Sequence, residues 1–208
     1  MAAPIILVAA SGLAREAAEA ARRAGRRVLG CVDDDERLHG QLVAPGLEVL
    51  GGMAAIEDHA DAELVLCAGR GASRQALESR LTTAAVRSWA TIVDPSAVVP
   101  PSCSVGEGSV LLAGVVLTAD VRVERHVVCM PHVTLTHDDE VADYATLSAG
   151  VRLGGRVRVR KRAYLGMSSA VRQDLVVGAD AVLGMGAALL QDLPPGQTWV
   201  GVPAAPLG

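Results

Sequence analysis

Residues 127–150, VVCMPHVTLTHDDEVADYATLSAG, carry the pattern that decides the fold. An aliphatic side chain recurs there at every sixth residue, and the same spacing runs from Val93 to Leu193. Sixteen of the seventeen positions in this column are aliphatic, and the exception is the small apolar Cys129. The column consists of Val93, Val99, Val105, Leu111, Leu117, Val123, Cys129, Leu135, Val141, Leu147, Leu153, Val159, Leu165, Val171, Val177, Leu183 and Leu189. A spacing of six fits neither a helix nor an alternating strand, and it is the signature of a hexapeptide parallel β-helix.

A second column follows the first by four residues and holds mostly small side chains. Its members are Ala97, Cys103, Ser109, Val115, Val121, Val127, Val133, Asp139, Ala145, Val151, Val157, Ala163, Ser169, Leu175, Ala181, Ala187 and Leu193. Three hexads make one triangular coil, so residues eighteen apart are expected to stack at about 4.8 Å. The aliphatic column then fills the prism, where each buried side chain contributes on the order of 1.5–3 kcal/mol. Asp139 is the one charged residue of the second column, and such a local break is where function is expected.

Composition limits the protein class. A net charge of −4 with only two Trp, two Tyr and no Phe argues against nucleic-acid binding. No apolar run approaches the roughly 18 residues that span a bilayer, and the first residues, MAAPIILVAASGLARE, lack the basic start of a signal peptide. The four cysteines form no CxxC pair and resemble small hydrophobic residues. We therefore predict a cytoplasmic protein without membrane insertion.

The residues before the repeat predict a second domain. PIILVAA (4–10) reads as a buried strand, and Ser11 and Gly12 lead into an alanine-rich helix that ends at Gly25. RRVLGCVDDD (26–35) reads as a second strand that ends in acidic residues, among them Asp33 and Asp34. This order predicts a Rossmann-like α/β domain over 1–88, with further strands at 47–50 and 63–69, a helix at 72–81, and the β-helix over 89–208.

The turn at residues 11–12 is a candidate phosphate site. The glycine fingerprint GxGxxG is absent, but the helix start behind Ser11 and Gly12 offers free N–H groups to a phosphate. Acids at the end of the second strand, Asp33 and Asp34, lie where doubly wound folds bind nucleotides. A turn that serves only packing is the alternative.

The turn at His137 is the candidate catalytic site. His137 comes two residues after the inward Leu135, so it is expected to project from a turn, and Asp138 beside it could orient the ring and stabilise its protonated form. Eighteen residues later comes Gly155, where bare backbone would let another molecule approach. An exposed turn histidine without a role is the alternative.

Two further features bear on ligands. His126, His132 and His137 could suggest zinc, but His126 should lie on a neighbouring face and no third ligand is evident, so we expect no metal. Gly166, Gly184 and Gly186 recur near eighteen-residue spacing and predict an edge of exposed amides that suits a pantetheine arm. The basic run at 152–162 is either a solvated face or a site for coenzyme phosphates.

Together these residues resemble the PglD/NeuD-type sugar acyltransferases of the hexapeptide superfamily. The segments that carry the resemblance are ASGLARE, CVDDDERLHG, CAGRGASR, WATIVDPSAVV, LTHDDEVADY and WVGVPA. They are spread along the chain, so the likeness extends over almost all of it. The resemblance implies a left-handed parallel β-helix, a homotrimer with active sites between subunits, and acetyl-CoA as cosubstrate. It also implies a nucleotide sugar, expected to be UDP-linked, as the ligand of the N-terminal domain.

The resemblance also assigns individual residues. His137 matches the family's base, Asp138 its acidic neighbour, and Gly155 a glycine near the thioester. Thr146 stands where some members carry a second histidine at the coenzyme, which implies a hydroxyl contact there. The predicted reaction is direct acetylation of the amino group of a nucleotide-linked amino sugar. The alternatives are a sugar or sialic acid O-acetyltransferase, a non-catalytic trimeric binding protein, and a zinc hydratase.

Overall fold

The computed structural model describes residues 2–83 and 88–207, and its N-terminal part is a five-stranded sheet with helices. The strands are β1 (Ile5–Val8), β2 (Val28–Val32), β3 (Leu42–Ala44), β4 (Leu47–Gly51) and β5 (Glu63–Leu66). The helices are α1 (Gly12–Arg23) and α2 (Gly71–Thr83), with short 3₁₀ turns at Glu36–Leu38 and Met53–Asp58. The predicted strand, helix, strand opening and the later helix are all present.

The N-terminal sheet has the order β3-β4-β2-β1-β5. β1 pairs in parallel with β2 and with β5, and β2 pairs in parallel with β4. The edge strand β3, which the sequence analysis did not predict, is antiparallel to β4. Every side chain of β1, which lies between β2 and β5, is fully buried, because a parallel strand covered on both faces must be apolar throughout.

The repeat forms sixteen two-residue strands, and from the second strand onward each begins six residues after the one before it. They are β6 (Ile92–Val93), β7 (Ser104–Val105), β8 (Val110–Leu111), β9 (Val116–Leu117), β10 (Arg122–Val123), β11 (Val128–Cys129), β12 (Thr134–Leu135), β13 (Glu140–Val141), β14 (Thr146–Leu147), β15 (Arg152–Leu153), β16 (Arg158–Val159), β17 (Tyr164–Leu165), β18 (Ala170–Val171), β19 (Val176–Val177), β20 (Val182–Leu183) and β21 (Ala188–Leu189). A C-terminal hairpin of β22 (Thr198–Val200) and β23 (Ala205–Pro206) follows.

The short strands stack into three sheets, so the chain visits three faces in turn. Face A contains β6, β8, β11, β14, β17, β20 and the C-terminal hairpin; face B contains β9, β12, β15, β18 and β21; face C contains β7, β10, β13, β16 and β19. Paired residues are eighteen apart, as in Val128 with Thr146 and Arg122 with Glu140. The predicted stacking of three hexads per coil is therefore confirmed.

The aliphatic column forms the core of these coils. From Leu111 to Leu189 each of its side chains is buried, including Cys129, while Val93, Val99 and Val105 in the first coil are partly buried. Burial raises the pKa of the Cys129 thiol to about 12, so this cysteine is a core residue and a poor nucleophile.

The N-terminal sheet docks on the outer surface of face A. Helix α1 shares a buried apolar cluster with Ile92, Val110 and Val128, which are the outward residues of their strands. Helix α2 begins at Gly71, where a Cβ atom would lie less than 3.0 Å from the backbone oxygen of Tyr144. Only glycine allows this close approach, so Gly71 fixes how near the two parts of the chain can come. The predicted boundary near residue 89 follows residues 84–87, which lie outside the described residues.

No helix within residues 2–83 and 88–207 is long and apolar enough to cross a membrane.

Candidate active site

The turn between β12 and β13 presents His137 and Asp138 to solvent at the corner between faces B and C. Their side chains are 53% and 54% exposed, and His137 Nδ1 lies 2.8 Å from Asp138 Oδ2. A proton on Nδ1 donated to this carboxylate leaves the lone pair on Nε2, which is the form that a general base requires. The predicted orientation of the pair, outside the core and side by side, is present in the structure.

The His137 ring lies directly against Gly155 of the next coil. A Cβ atom on Gly155 would come closer than 3.0 Å to both Nε2 and Cε1 of the imidazole. The imidazole thus occupies the space that a side chain at residue 155 would fill, and the predicted approach of the thioester to Gly155 stays a prediction. The glycine therefore sets the position of the ring.

The residues predicted to bind the coenzyme are divided between different parts of the prism. Gly155 shares a corner with His137, whereas Gly166, Gly184 and Gly186 lie at the corner between faces A and B. The prediction of exposed amides at those three glycines is wrong. Their N–H groups donate to the carbonyl oxygens of Leu183, Trp199 and Met167, at 2.7, 2.8 and 2.8 Å. Each amide forms the coil-to-coil hydrogen bond of a parallel ladder, so none is free for a pantetheine arm.

Thr146 occupies the outer surface of face A, where the N-terminal domain docks. Its hydroxyl donates to the carbonyl oxygen of Gly69 at 3.0 Å and accepts from Arg74 Nη2 at 3.0 Å. The hydroxyl proton and one lone pair are thus both used within the chain. The hydroxyl contact to the coenzyme that the resemblance implied stays a prediction, and the oxygen has one further lone pair with which to accept it.

A cavity of about 900 Å³ lies between the N-terminal sheet and face A. The starts of both helices contribute to its wall, with Gly12 from α1 and Arg70 and Gly71 at α2. The remaining lining residues are Leu13, Glu16, Gly69, Ala72, Ser73, Val128, Met130, Thr146, Ser148, Ala149, Arg162, Tyr164, Met167, Asp180 and Val182. A cavity of this size with two helix N-termini at its wall has room and dipole charge for an anionic ligand.

The other predicted substrate residues have structural partners. Ser11 caps α1, accepting from Ala14 N at 3.2 Å and donating to Cys67 O at 2.6 Å. Asp33 accepts from two backbone N–H groups, those of Ala10 and Asp35, at 2.8 and 2.9 Å. Its carboxylate therefore orders the loop that follows β1.

Asp34 is exposed and lies 2.7 Å from Arg80 of α2, and the hydrogen bond from that guanidinium holds the pKa of Asp34 below its usual value. Four residues were predicted to bind the substrate, and one of them, Gly12, lines the cavity. The other three, Ser11, Asp33 and Asp34, are not among the described residues that line it.

Arg74 joins the two parts of the chain and was missed from the sequence. Its side chain is fully buried, and burial lowers the pKa of its guanidinium to about 10. It donates to the hydroxyl of Thr146 and to backbone oxygens of Ala68, Gly69, His126, Tyr144 and Ala145. This arginine ties α2, in which it lies, to the segment before that helix and to Thr146 and the turns that lead into face A.

The histidines do not converge on a metal. His126 is fully buried, with Nε2 3.2 Å from Glu78 Oε1, and its ring packs against those of Trp89 and Tyr144. Burial lowers the pKa of this imidazole. Within the described part of the chain, no group of three or more His, Cys, Asp or Glu residues could hold a metal ion.

Three of the six basic residues in the run pair with acids of adjacent coils. Arg156 lies 2.6 Å from Asp174, Arg162 lies 2.5 Å from Asp180, and Arg158 lies 3.7 Å from Glu140. The members of each pair are eighteen residues apart and therefore lie in adjacent coils. An ion-paired surface explains half of the run.

The chain is similar to solved sugar N-acetyltransferases of the hexapeptide-repeat family. No family model matches the chain. Among solved structures, the chain resembles PerB from Caulobacter crescentus, in complex with CoA and GDP-perosamine, with 29% identity and a TM-score of 0.90 over 99% of this chain and 97% of PerB. It also resembles the acetyltransferase domain of PglB from Neisseria gonorrhoeae, in complex with acetyl coenzyme A, with 25% identity and a TM-score of 0.91 over 100% of both chains.

These likenesses confirm the predicted resemblance to sugar acyltransferases of the hexapeptide superfamily. They extend over both parts of the chain, including the N-terminal sheet and the residues that line the cavity.

Proposed function

We propose that this protein is an acetyl-CoA-dependent acetyltransferase that acts on the amino group of a nucleotide-linked amino sugar. The observation that carries the proposal is the His137-Asp138 pair held against Gly155, in a chain that matches PerB over nearly its whole length. PerB binds CoA and GDP-perosamine, and the PglB domain binds acetyl coenzyme A. The proposed enzyme class, an acyltransferase, and the proposed cosubstrate, acetyl-CoA, both rest on the similarity to these two proteins.

The proposed reaction is direct transfer without a covalent enzyme intermediate. The sugar amine attacks the thioester carbonyl while His137 Nε2 takes one proton from the nitrogen, and Asp138 stabilises the imidazolium. Collapse of the tetrahedral intermediate breaks the carbon–sulfur bond, and the thiolate of CoA receives the proton. The products are the N-acetyl sugar and the free thiol.

The amide of Gly155 is the candidate donor to the developing oxyanion. The N–H groups of Gly154 and Arg156 donate to Val171 O and His137 O, both at 2.9 Å. Gly155 N–H has no partner among the described residues, and it lies in the turn against which the imidazole rests. A preorganised N–H at that place would stabilise negative charge on the carbonyl oxygen.

We infer that the N-terminal domain, residues 1–88, is Rossmann-like and holds the nucleotide of the acceptor, as the sequence predicts. The parallel β1-α1-β2 unit and the two helix starts at the cavity support this assignment. The diphosphate would lie at Gly12 and at the start of α2, near Arg70. Asp33 and Asp34 stay predictions for the ribose or base. UDP is the predicted nucleotide, and GDP is the alternative because PerB binds GDP-perosamine.

Calorimetry with UDP- and GDP-linked amino sugars tests the acceptor site. A Cβ atom on Gly12 meets no atom within 4 Å, so Gly12→Val should fold normally and project into the cavity. We expect acceptor affinity to fall at least about tenfold, which is roughly 1.4 kcal/mol, with acetyl-CoA affinity unchanged. Asp34→Ala tests the ribose prediction separately. If wild type and Gly12→Val bind the acceptor with equal affinity, the acceptor does not bind in this cavity.

The cavity and His137 lie on opposite sides of one subunit. The cavity is on face A, whereas His137 stands at the corner between faces B and C. A face of about five extended residues is on the order of 15 Å wide, so that corner lies a similar distance from face A. An acceptor in the cavity cannot simply extend along the domain junction to His137 of its own chain. A complete site therefore requires a second copy.

This separation supports the proposed homotrimer of left-handed β-helices with active sites between subunits. The handedness accords with left-handed backbone conformations at the corners, as at Asp120, Asp138 and Asp174, where φ is 54°, 61° and 65°. Light scattering at micromolar concentration should give about three times 21.4 kDa. A stable monomer with full activity would contradict the shared site.

A further inference from the structure

Asp139 places a carboxyl group inside the prism, next to the proposed catalytic turn. It belongs to the column of small side chains and is the one charged residue in it. Its side chain is fully buried. A buried charge in an apolar surrounding is unfavourable unless hydrogen bonds satisfy it.

The carboxylate of Asp139 links two successive coils. Oδ2 accepts from Thr136 N at 2.7 Å, and Oδ1 accepts from Val157 N at 2.8 Å. Thr136 directly precedes His137, and Val157 follows Gly155 by two residues. One side chain thus ties the turn that carries the imidazole to the turn against which the imidazole lies.

Most other corners are closed without such a link. The N–H of the small-column residue usually donates to the carbonyl three residues earlier, as from Ala145 to Ala142 and from Ala163 to Arg160, both at 3.2 Å. At the His137 corner, Asp139 takes the N–H of Val157 instead. Backbone alone can therefore close a corner of this prism.

Ser109 makes a comparable link at another corner, between faces C and A. Its hydroxyl accepts from Val127 N at 3.0 Å and donates to Glu124 O at 2.8 Å. A neutral hydroxyl is thus sufficient to join two coils at that place. Ser109 is remote from His137, so it provides a matched control.

Burial disfavours the charged form of Asp139. Burial raises the pKa of this carboxyl to about 7, with Asp138 adding to the effect, although the two backbone N–H groups and His137 oppose it. Unfavourable groups that persist beside a reacting centre are a recognised sign that the site needs them.

We propose that Asp139 is a positioning residue that holds the His137 imidazole over Gly155 by tying the two turns together. This role rests on the proposed function, because it acts through the general base. Asp139 itself is covered and does not touch the substrates.

The test compares Asp139→Asn and Asp139→Val with Ser109→Ala in the full-length protein. Asparagine keeps the shape and one acceptor but presents N–H to the other amide, so the turn shifts. We expect Asp139→Asn to lower kcat about tenfold, since displacements of about 1 Å can cost up to 10²-fold, with both Michaelis constants within about twofold of wild type. Ser109→Ala should keep wild-type kcat. In a His137→Ala background, Asp139→Asn should cause no further loss, because its effect passes through that ring.

Several outcomes would overturn the positioning role. One is a wild-type kcat in both Asp139→Asn and Asp139→Val, and another is a loss of kcat in Ser109→Ala equal to that in Asp139→Asn. A third is a full tenfold loss of kcat when Asp139→Asn is added to His137→Ala. The fourth is failure of both Asp139 variants to fold. The last would make Asp139 a purely structural group. An inactive wild type would overturn the proposed function and this role together, whereas an active wild type with an indifferent Asp139 overturns this role alone.

Discussion

Replacing His137 with alanine is expected to lower kcat by about 10²–10⁴-fold, the usual loss when a general base is removed. Thermal stability and oligomeric state should not change, because the side chain is 53% exposed and leaves no core cavity. Asp138→Asn should cost less, since an amide oxygen can still accept from Nδ1 while the stabilising charge is lost. Initial rates of thiol release at saturating substrates measure both effects.

His132→Ala is the matched control for this experiment. His132 is also an exposed turn histidine that lies against a glycine of a neighbouring coil, Gly114, but it has no ion-pair partner among the described residues. It stands at the corner between faces A and B. Its replacement should leave kcat unchanged, and near-normal activity in His137→Ala would show that the base has been assigned to the wrong residue.

Gly155→Val is expected to abolish most turnover by displacing the His137 ring. A valine Cβ would overlap Nε2 and Cε1 of the imidazole, and His137 is the more mobile partner because it projects from a turn. We expect kcat to fall as far as in His137→Ala, with the Michaelis constant for acetyl-CoA little changed. Steady-state kinetics with both substrates varied distinguish the two parameters.

A double variant sharpens the test at Gly155. Alanine at residue 155 should reduce the melting temperature in the wild-type background, but less so in His137→Ala, where the ring no longer occupies the space. A raised Michaelis constant for acetyl-CoA with intact kcat would instead indicate that the thioester passes over Gly155. That result would favour the original sequence prediction over the contact seen in the structure.

Sequence periodicity predicted the β-helix because each hexad repeats one simple requirement. An inward aliphatic residue and a small residue beside the corner recur along the whole prism, so the pairing of Val128 with Thr146 follows from counting to eighteen. The same counting placed Gly155 next to His137. It could not tell which group fills the space above the glycine, because that depends on the orientation of the imidazole.

The eighteen-residue spacing also determines the environment of the glycine amides, and the outward side chains distinguish the faces. Gly166 and Gly184 are one coil apart, which means that their amides belong to the parallel ladder and are not available to a ligand. Ile92, Val110 and Val128, the outward residues of the first three strands of face A, are apolar, whereas Arg122, Glu140 and Arg158 hold the same position on face C. An apolar outer face indicates a covering element, and here it is the N-terminal domain.

Other features required the three-dimensional structure. Arg74 lies in a helix with nothing in its neighbours to mark it, and its acceptors are spread from residue 68 to 146. The edge strand β3 has three residues, although Pro45 and Gly46 before β4 are a recognisable turn signal. Ser11 and Asp33 also bond to distant backbone groups, Cys67 O and Ala10 N, and local sequence patterns do not specify those contacts. The same holds for the ion pair of Asp34 with Arg80.

Acetyl transfer by the wild-type protein tests the central claim most directly. The protein would be incubated with acetyl-CoA and a panel containing GDP-perosamine, UDP-linked amino sugars, free amino sugars and sialic acid. Thiol release and the mass of each product would be followed. We predict one thiol per acetylated nucleotide sugar and a product that resists hydroxylamine, as an amide does. No transfer to any nucleotide-linked amino sugar, or a hydroxylamine-sensitive ester formed on free sugar or sialic acid, would contradict it.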